Sequence, residues 1–172
     1  ELQARLRELT TVYDVGKTIT ATLRVEDVQE FVVSAACQSL HAEASYLFLW
    51  EEREERLVLQ AVEGYPHELV GELRYRLGEG LSGWVFLEGK VANVPDLAAD
   101  PRWKREPEYE AVLPSGQANN ALVVPLMIGK KTLGVLGVSN KIAAPAFTQG
   151  DQSLLTSLAG QVAIAIENAR LY

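Results

Sequence analysis

The stretch ALVVPLMIGKKTLGVLGVS, Ala121 to Ser139, decides the fold. Two apolar runs, Ala121–Ile128 and Thr132–Ser139, flank the turn Gly129-Lys130-Lys131. Such runs parted by a glycine turn predict a β-hairpin. Gly134 and Gly137 weaken a strand intrinsically, so their presence signals something packed closely on the backbone. Beyond the hairpin come Asn140-Lys141, a proline-containing loop, Phe147 and Asp151, then an apolar helix running to Tyr172. Asp151 suits that helix's N-terminus. Leu155, Leu158, Val162, Ala165, Ala169 and Tyr172 form a heptad seam, while Leu154, Ala163, Ile164 and Ile166 fall largely off it. A helix apolar on more than one side is buried on more than one side. One face is expected to cover the sheet and the other to meet a second protomer in a C2 arrangement.

Upstream, residues 1–21 predict a helix with Leu2, Leu6, Leu9, Tyr13 and Gly16 at heptad spacing. It packs either on its own domain or on a second copy. Residues 25–41 predict another helix, with Glu26 and Asp27 in its first turn, where carboxylates suit the dipole. Cys37 falls inside it and is expected to be a buried structural thiol, since no basic cluster flanks it. Ala44–Trp50 and Arg56–Val62 predict antiparallel strands around the charged turn Glu51–Glu55. Leu73–Leu77 suggests a short edge strand. Gly78-Glu79-Gly80-Leu81-Ser82-Gly83 has a phosphate-loop look but lacks a Gly-Lys-Ser/Thr ending, so it predicts a turn into a short helix over 81–88. Val91–Val94 is a brief strand. Residues 96–119 follow with little regular pattern, and long irregular segments are often functional. This one mixes aromatics with both charge signs, as a lid over a pocket does; the alternative is an ordinary surface loop. Paired strands with helices at both chain ends predict an α+β fold, an antiparallel sheet with helices stacked on one face.

Composition narrows the function classes. The net charge of −7 opposes non-specific nucleic-acid binding, which needs a basic face. No run approaches the roughly 18 apolar residues of a membrane span. The single cysteine excludes an internal disulfide and points to a reducing, cytoplasmic setting. No Met opens the chain and both ends are helical in pattern, which suggests a piece of a longer protein. His41 and His67 have no second histidine or cysteine at metal-ligand spacing, so no metal site is expected. No nucleophile–base spacing emerges, and the fragment is expected to be non-catalytic.

The order of elements resembles the GAF domain, the small-molecule-binding module of signalling proteins. The likeness is carried by Gly78–Gly83, Val91–Asp96, Asp100-Pro101-Arg102, Val124-Pro125-Leu126, Gly134-Val135-Leu136 and Ile164–Tyr172. Asn140-Lys141, Phe147 and Asp151 resemble the Asn-Lys…Phe…Asp-Glu signature of cyclic-nucleotide phosphodiesterase GAF domains, with Gln152 in place of the Glu. The resemblance implies a GAF/PAS-like sheet of about six strands, terminal helices on one face, and a lidded pocket with short helices on the other. It divides the chain into a linker or dimer helix, 1–21, and a GAF domain, 22–172, whose residues 150–172 form the signalling helix. By likeness to cyclic-nucleotide-binding members, Ser45 and Asp96 look into the pocket; Asp100, Trp103, Tyr109 and Asn120 join them from their place on the lid and at the hairpin base. Lys141 is expected to pair with Asp151, with Phe147 plugging the gap beneath. A solvated turn with an N-capping Asp accounts equally for Asp151 but not for Phe147.

The ligand itself is unknown from the sequence, with a cyclic nucleotide as one candidate. A covalent bilin is disfavoured because no cysteine lies near the lid, and haem because only His41 and His67 offer an axial ligand. The leading expectation is a sensory domain of a bacterial-type signalling protein, such as a histidine kinase, cyclase or phosphodiesterase. In it Arg102, Lys104 and Arg105 neutralise an anionic ligand, and homodimeric terminal helices carry the signal to an output domain. The alternatives are a dimerisation spacer with a vestigial pocket and a protein-interaction surface on the lid.

Overall fold

The computed structural model describes residues 24–171. The expected helix over 1–21, with Leu2, Leu6 and Leu9, therefore lies outside the described residues. The elements in chain order are α1 (Val25–Leu40), β1 (Ala42–Glu51), β2 (Arg56–Glu63), β3 (Arg74–Tyr75), α2 (Gly80–Glu88), β4 (Ala92–Val94), α3 (Pro107–Glu110), β5 (Ala121–Ile128), β6 (Lys131–Lys141) and α4 (Gln149–Leu171). Short 3₁₀ turns occupy His67–Leu69 and Leu97–Ala99. The six strands form one antiparallel sheet in the order β3-β2-β1-β6-β5-β4. The expected α+β architecture is the one observed. Its two edges are strands of two and three residues, too short to template pairing with another chain.

The β5–β6 hairpin holds the centre because both faces of β6 are buried. Alternation along β1 sends Leu47 and Leu49 to one face and Ala44, Tyr46 and Phe48 to the other, and each set joins a separate apolar core. The first core lies under α1 and α4, through Val28, Val32 and Leu40 of α1 and Leu155, Leu158, Val162 and Ile166 of α4. The second lies under α2 and the 96–119 segment, through Leu81, Val85, Leu97, Leu113 and Ala118.

This arrangement shows which of the two expected faces of α4 the heptad seam forms. The seam residues Leu155, Leu158 and Val162 are buried in the chain's own helix-side core, and Ala169 packs against it. The heptad spacing marks the face that covers the sheet. What α4 leaves outward is Ile164, 57% exposed, and Leu171, 70% exposed.

Helix ends follow backbone chemistry. α1 stops at His41 in the left-handed region, and its amide turns back to the carbonyls of Cys37 and Gln38. α2 stops at Gly89 in the same way, with the amide on Val85. Gly78 and Gly80 also adopt positive φ, and Gly83 sits against the Arg76 carbonyl, so the glycine-rich segment shapes a tight turn into α2.

Gly137 has a particular task. A Cβ there would stand 2.3 Å from the ring of Tyr46, which lies across β6 and reaches Ser139 with its hydroxyl at 3.0 Å. Gly137→Ala is expected to cost about 1–3 kcal/mol through overpacking, a fall of roughly 2–12 °C in Tm for a domain of this size. Gly160 in α4 has open space around its Cα, so Gly160→Ala should instead raise stability by about 1 kcal/mol through helix propensity. Thermal denaturation of the two variants checks both signs.

Candidate functional site

On the face away from α1 and α4, the sheet and the 96–119 segment border a half-open cavity of about 60 Å³. Its floor is Tyr46 and Phe48 of β1 with Leu59 and Val62 of β2. Tyr65, Leu69, Leu73 and Tyr75 form one wall. Ser82 of α2 and the lid residues Trp103, Lys104, Glu106, Tyr109 and Glu110 line the rest. The floor aromatics brace one another: Tyr46 and Phe48 meet edge-on at 6.1 Å, and Phe48 and Tyr75 lie 5.4 Å apart. Burial pushes the Tyr46 hydroxyl up to about 12, partly offset by its bond to Ser139. Burial also raises Tyr65 and Tyr75, reinforced at Tyr75 first by the charge of Glu106. All three phenols are therefore neutral at physiological pH.

The lid is tied down by carboxylates. Glu110, 2% exposed, pairs with Arg105 and accepts the amides of Glu106 at 2.9 Å and Ala118 at 3.0 Å. A buried carboxylate needs such a full set of partners. Asp100 grips Arg102 with both oxygens, at 3.0 and 2.6 Å, and Arg102 stacks 4.3 Å above Trp84. That hydrogen-bonded guanidinium holds the Asp100 carboxyl below its usual range. Lys104 bonds Glu79 at 2.7 Å, and Glu79 is lowered first by the Arg76 amide and then by Lys104. The three lid cations expected to be open to an anionic ligand thus each have a carboxylate partner already.

The sequence-derived pocket residues separate. Trp103 and Tyr109 line the cavity. Ser45 does not: it sits on the helix-facing side of β1 and its hydroxyl donates to the Val33 carbonyl of α1. Asp96 is exposed and caps the 3₁₀ turn through the Ala98 amide at 3.2 Å. Asp100 is spent on Arg102. Asn120 belongs to a structural clamp, accepting the Lys141 amide at 2.9 Å and donating to the Pro145 carbonyl at 3.2 Å. The aromatic floor and wall were missed, although Tyr46 and Phe48 stand at the i, i+2 spacing of one strand face. Glu106 and Glu110 offered no comparable signal.

The Asn140–Asp151 segment forms the junction between the two faces. Asn140 has φ 64°; its amide donates to Gln117 O at 2.8 Å and Glu43 Oε1 at 3.0 Å and accepts the Asn119 amide at 2.6 Å. Lys141 Nζ reaches Leu40 O at 2.8 Å and Asp151 at 3.2 Å, and lies 5.9 Å over the Phe147 ring, which is buried beneath it. Asp151 and Thr148 cap each other reciprocally at the start of α4. Cys37 of α1, expected to be buried, is half-buried; it donates to Ala42 O at 3.0 Å, and desolvation pushes its thiol up to about 11.

Among the described residues no group of three or more His, Cys, Asp or Glu side chains is placed to hold a metal ion, and no helix is long and apolar enough to cross a membrane.

A curled antiparallel sheet with helices on one face and a lidded cavity on the other is the architecture of a regulatory module. The chain belongs to the GAF domain family, whose pattern it matches over residues 22–167. The rod cGMP-specific 3',5'-cyclic phosphodiesterase subunit alpha of Bos taurus is 26% identical over 160 residues, covering 87% of this chain and 18% of that protein. Nitrogen fixation protein AnfA of Azotobacter vinelandii is 25% identical over 166 residues, covering 96% of this chain and 31% of that one. The chain thus spans less than a third of these relatives. The GAF domain from a phosphoenolpyruvate-protein phosphotransferase of Coxiella burnetii superposes with a TM-score of 0.82 at 27% identity, covering 99% of this chain and 95% of that one.

Two outcomes follow from the site. Lys141 and Asp151 are only 14% and 11% exposed, so Lys141→Met strands a carboxylate and should cost about 3 kcal/mol. Adding Asp151→Asn should recover much of that, as read by urea denaturation. The second concerns pH. Asp100 and Glu79 are held below their ordinary values of 3.8 and 4.5, so their contribution is complete above those values and is lost as pH falls through the lowered ones. Hydrogen exchange in residues 96–119, corrected for intrinsic rate, should accelerate on acidification to that window, and less so in Asp100→Asn.

Proposed function

We propose that this chain is a cytoplasmic, non-catalytic sensory domain that binds a small molecule beneath its lid and passes the signal to an output domain through its terminal helices. The observation that carries this reading is the roofed cavity, connected by the Asn140–Lys141 junction to α1 and α4. Membership of a regulatory family found in nitrogen-fixation regulators and phosphodiesterases supports it. Ligand binding moves the lid; the Gln117–Asn120 exit moves with it; Asn140 and Lys141 transfer the displacement to the C-terminus of α1 and the N-terminus of α4. The ligand drives this only by binding one arrangement of the helices better than the other.

The cavity also bears on ligand size. Clefts for drug-sized molecules run to roughly 300–1,000 Å³, well above the 60 Å³ here. A cyclic nucleotide enters only with the lid lifted, and a lid cation meets its phosphate only by leaving a carboxylate. The proposal is therefore for a ligand smaller than a nucleotide. A second reading, a homodimeric spacer, draws on Phe31, Ile164 and Leu171, apolar side chains exposed on α1 and α4.

Native mass spectrometry of protein purified from its own host, with calorimetric titration of cyclic nucleotides and spin-label distances between α1 and α4, tests these readings. The sensor predicts a retained or titratable small molecule and a changed interhelical distance. Binding with no distance change would remove the transmission step. A dimer with nothing bound and nothing titratable would leave the spacer.

A further inference from the structure

The cavity has a chemical character that its size alone does not specify. Its inner surface is aromatic: Tyr46, Phe48, Tyr65, Tyr75, Trp103 and Tyr109 all face it. The faces of aromatic rings carry partial negative charge and attract cations, most strongly when water is excluded. The charged groups at the cavity are unequal. Lys104 is committed to Glu79 at 2.7 Å, and the Glu110 charge is met by Arg105. The Glu106 carboxylate, half-buried at the cavity, makes no hydrogen bond or close ion pair among the described residues; its charge acts on Tyr75 and on Lys104, whose ammonium lies 5.9 Å over the Tyr75 ring. Negative charge from Glu106 and Glu110 is felt at the Tyr75 and Tyr65 hydroxyls, whose ionisation it opposes. One donor is also left over: the indole N–H of Trp103 is buried and has no acceptor.

An anion placed here meets aromatic side chains and the Glu106 carboxylate, while Lys104 and Arg105 already hold Glu79 and Glu110. A neutral apolar molecule satisfies the rings and leaves Glu106 uncompensated. We infer that the cavity takes a small organic cation of the alkylated ammonium class, its charged head among the aromatic rings beside Glu106 and an acceptor oxygen on its tail meeting the Trp103 indole. This inference rests on the cavity being the ligand site. The volume agrees: at about 10–15 Å³ per enclosed water-sized group, the 60 Å³ cavity holds roughly four to six such groups, the scale of a trimethylammonium head.

Choline and 3,3-dimethylbutan-1-ol are suitable probes, because they share shape and hydroxyl and differ in charge. Each is titrated into the ¹⁵N-labelled chain while the Trp103 indole resonance, assigned with Trp103→Phe, is followed. Choline should shift that resonance and bind about tenfold tighter than the uncharged isostere. Glu106→Gln, with its fold checked by circular dichroism, should erase most of that preference and leave the isostere's affinity unchanged. Equal binding of the two probes overturns the cation assignment and leaves the cavity a ligand site. No shift with either probe also overturns it, and the sensory reading then falls only if native mass spectrometry finds no retained molecule. A preference for choline that survives Glu106→Gln intact overturns the role given to that carboxylate.

Discussion

The structure turns on the side-chain amide of Asn140. It sits where β6 ends, in the left-handed conformation that asparagine tolerates better than most residues. With two donors and one acceptor oxygen it engages β1 through Glu43, the lid exit through Gln117 and Asn119, and the start of β5 through the Asn120 amide. Asn120 answers from the other strand by capping Lys141. Lys141 in turn bridges α1 and α4. Two adjacent residues therefore join the lid face to the helix face. No continuous apolar core could do this, because the sheet stands between the two cores.

The same polar economy governs the rest. Glu110 and Asp151, the carboxylates most withdrawn from water, have every partner a buried charge requires, and both are spent on fixing backbone. The Tyr46 hydroxyl finds Ser139 across the strand that Gly137 keeps low. Against this background the unpaired Glu106 carboxylate and the orphan Trp103 N–H stand apart. Both lie on the lid and both border the cavity. Buried polar groups are otherwise hydrogen-bonded as a rule, which sets the Trp103 N–H apart.

How much of this the sequence showed depends on the kind of interaction. The hairpin was legible because two apolar runs around Gly129 permit little else, and the β5 bounds agree to the residue. Lys141, Phe147 and Asp151 come within reach of one another because ten residues separate the two charges across one loop. The pocket was less legible. β1 is apolar on both faces, AEASYLFLWE, so alternation cannot tell which parity looks at the helices; it could not check the placing of Ser45 by likeness, and Ser45 bonds α1 instead. The α4 seam was ambiguous for a related reason: a helix that covers a sheet and a helix that pairs with a copy both show apolar residues at 3-4 spacing. The lid cations looked free because Lys104 meets its partner 25 residues upstream, a distance no local pattern encodes.

The mechanics of the lid then follow from where its charges sit. Lys104–Glu79 is an exposed pair, and such pairs contribute about 0–1 kcal/mol. Arg102–Asp100 spans only two residues and fixes the lid's own shape more than its seat on the sheet. Seating falls to Leu97, Leu113 and Ala118, to the Glu110 network and to Ser115 on Glu43. Ser115 lies toward the lid's C-terminal end, next to the Asn140 clamp, and the Glu110 network reaches back to Arg105 and the Glu106 amide over the cavity. The lid's C-terminal end is thus the one bonded to β1 and β6. Asn140 ties that end to β6, and Lys141 beside it reaches both α1 and α4.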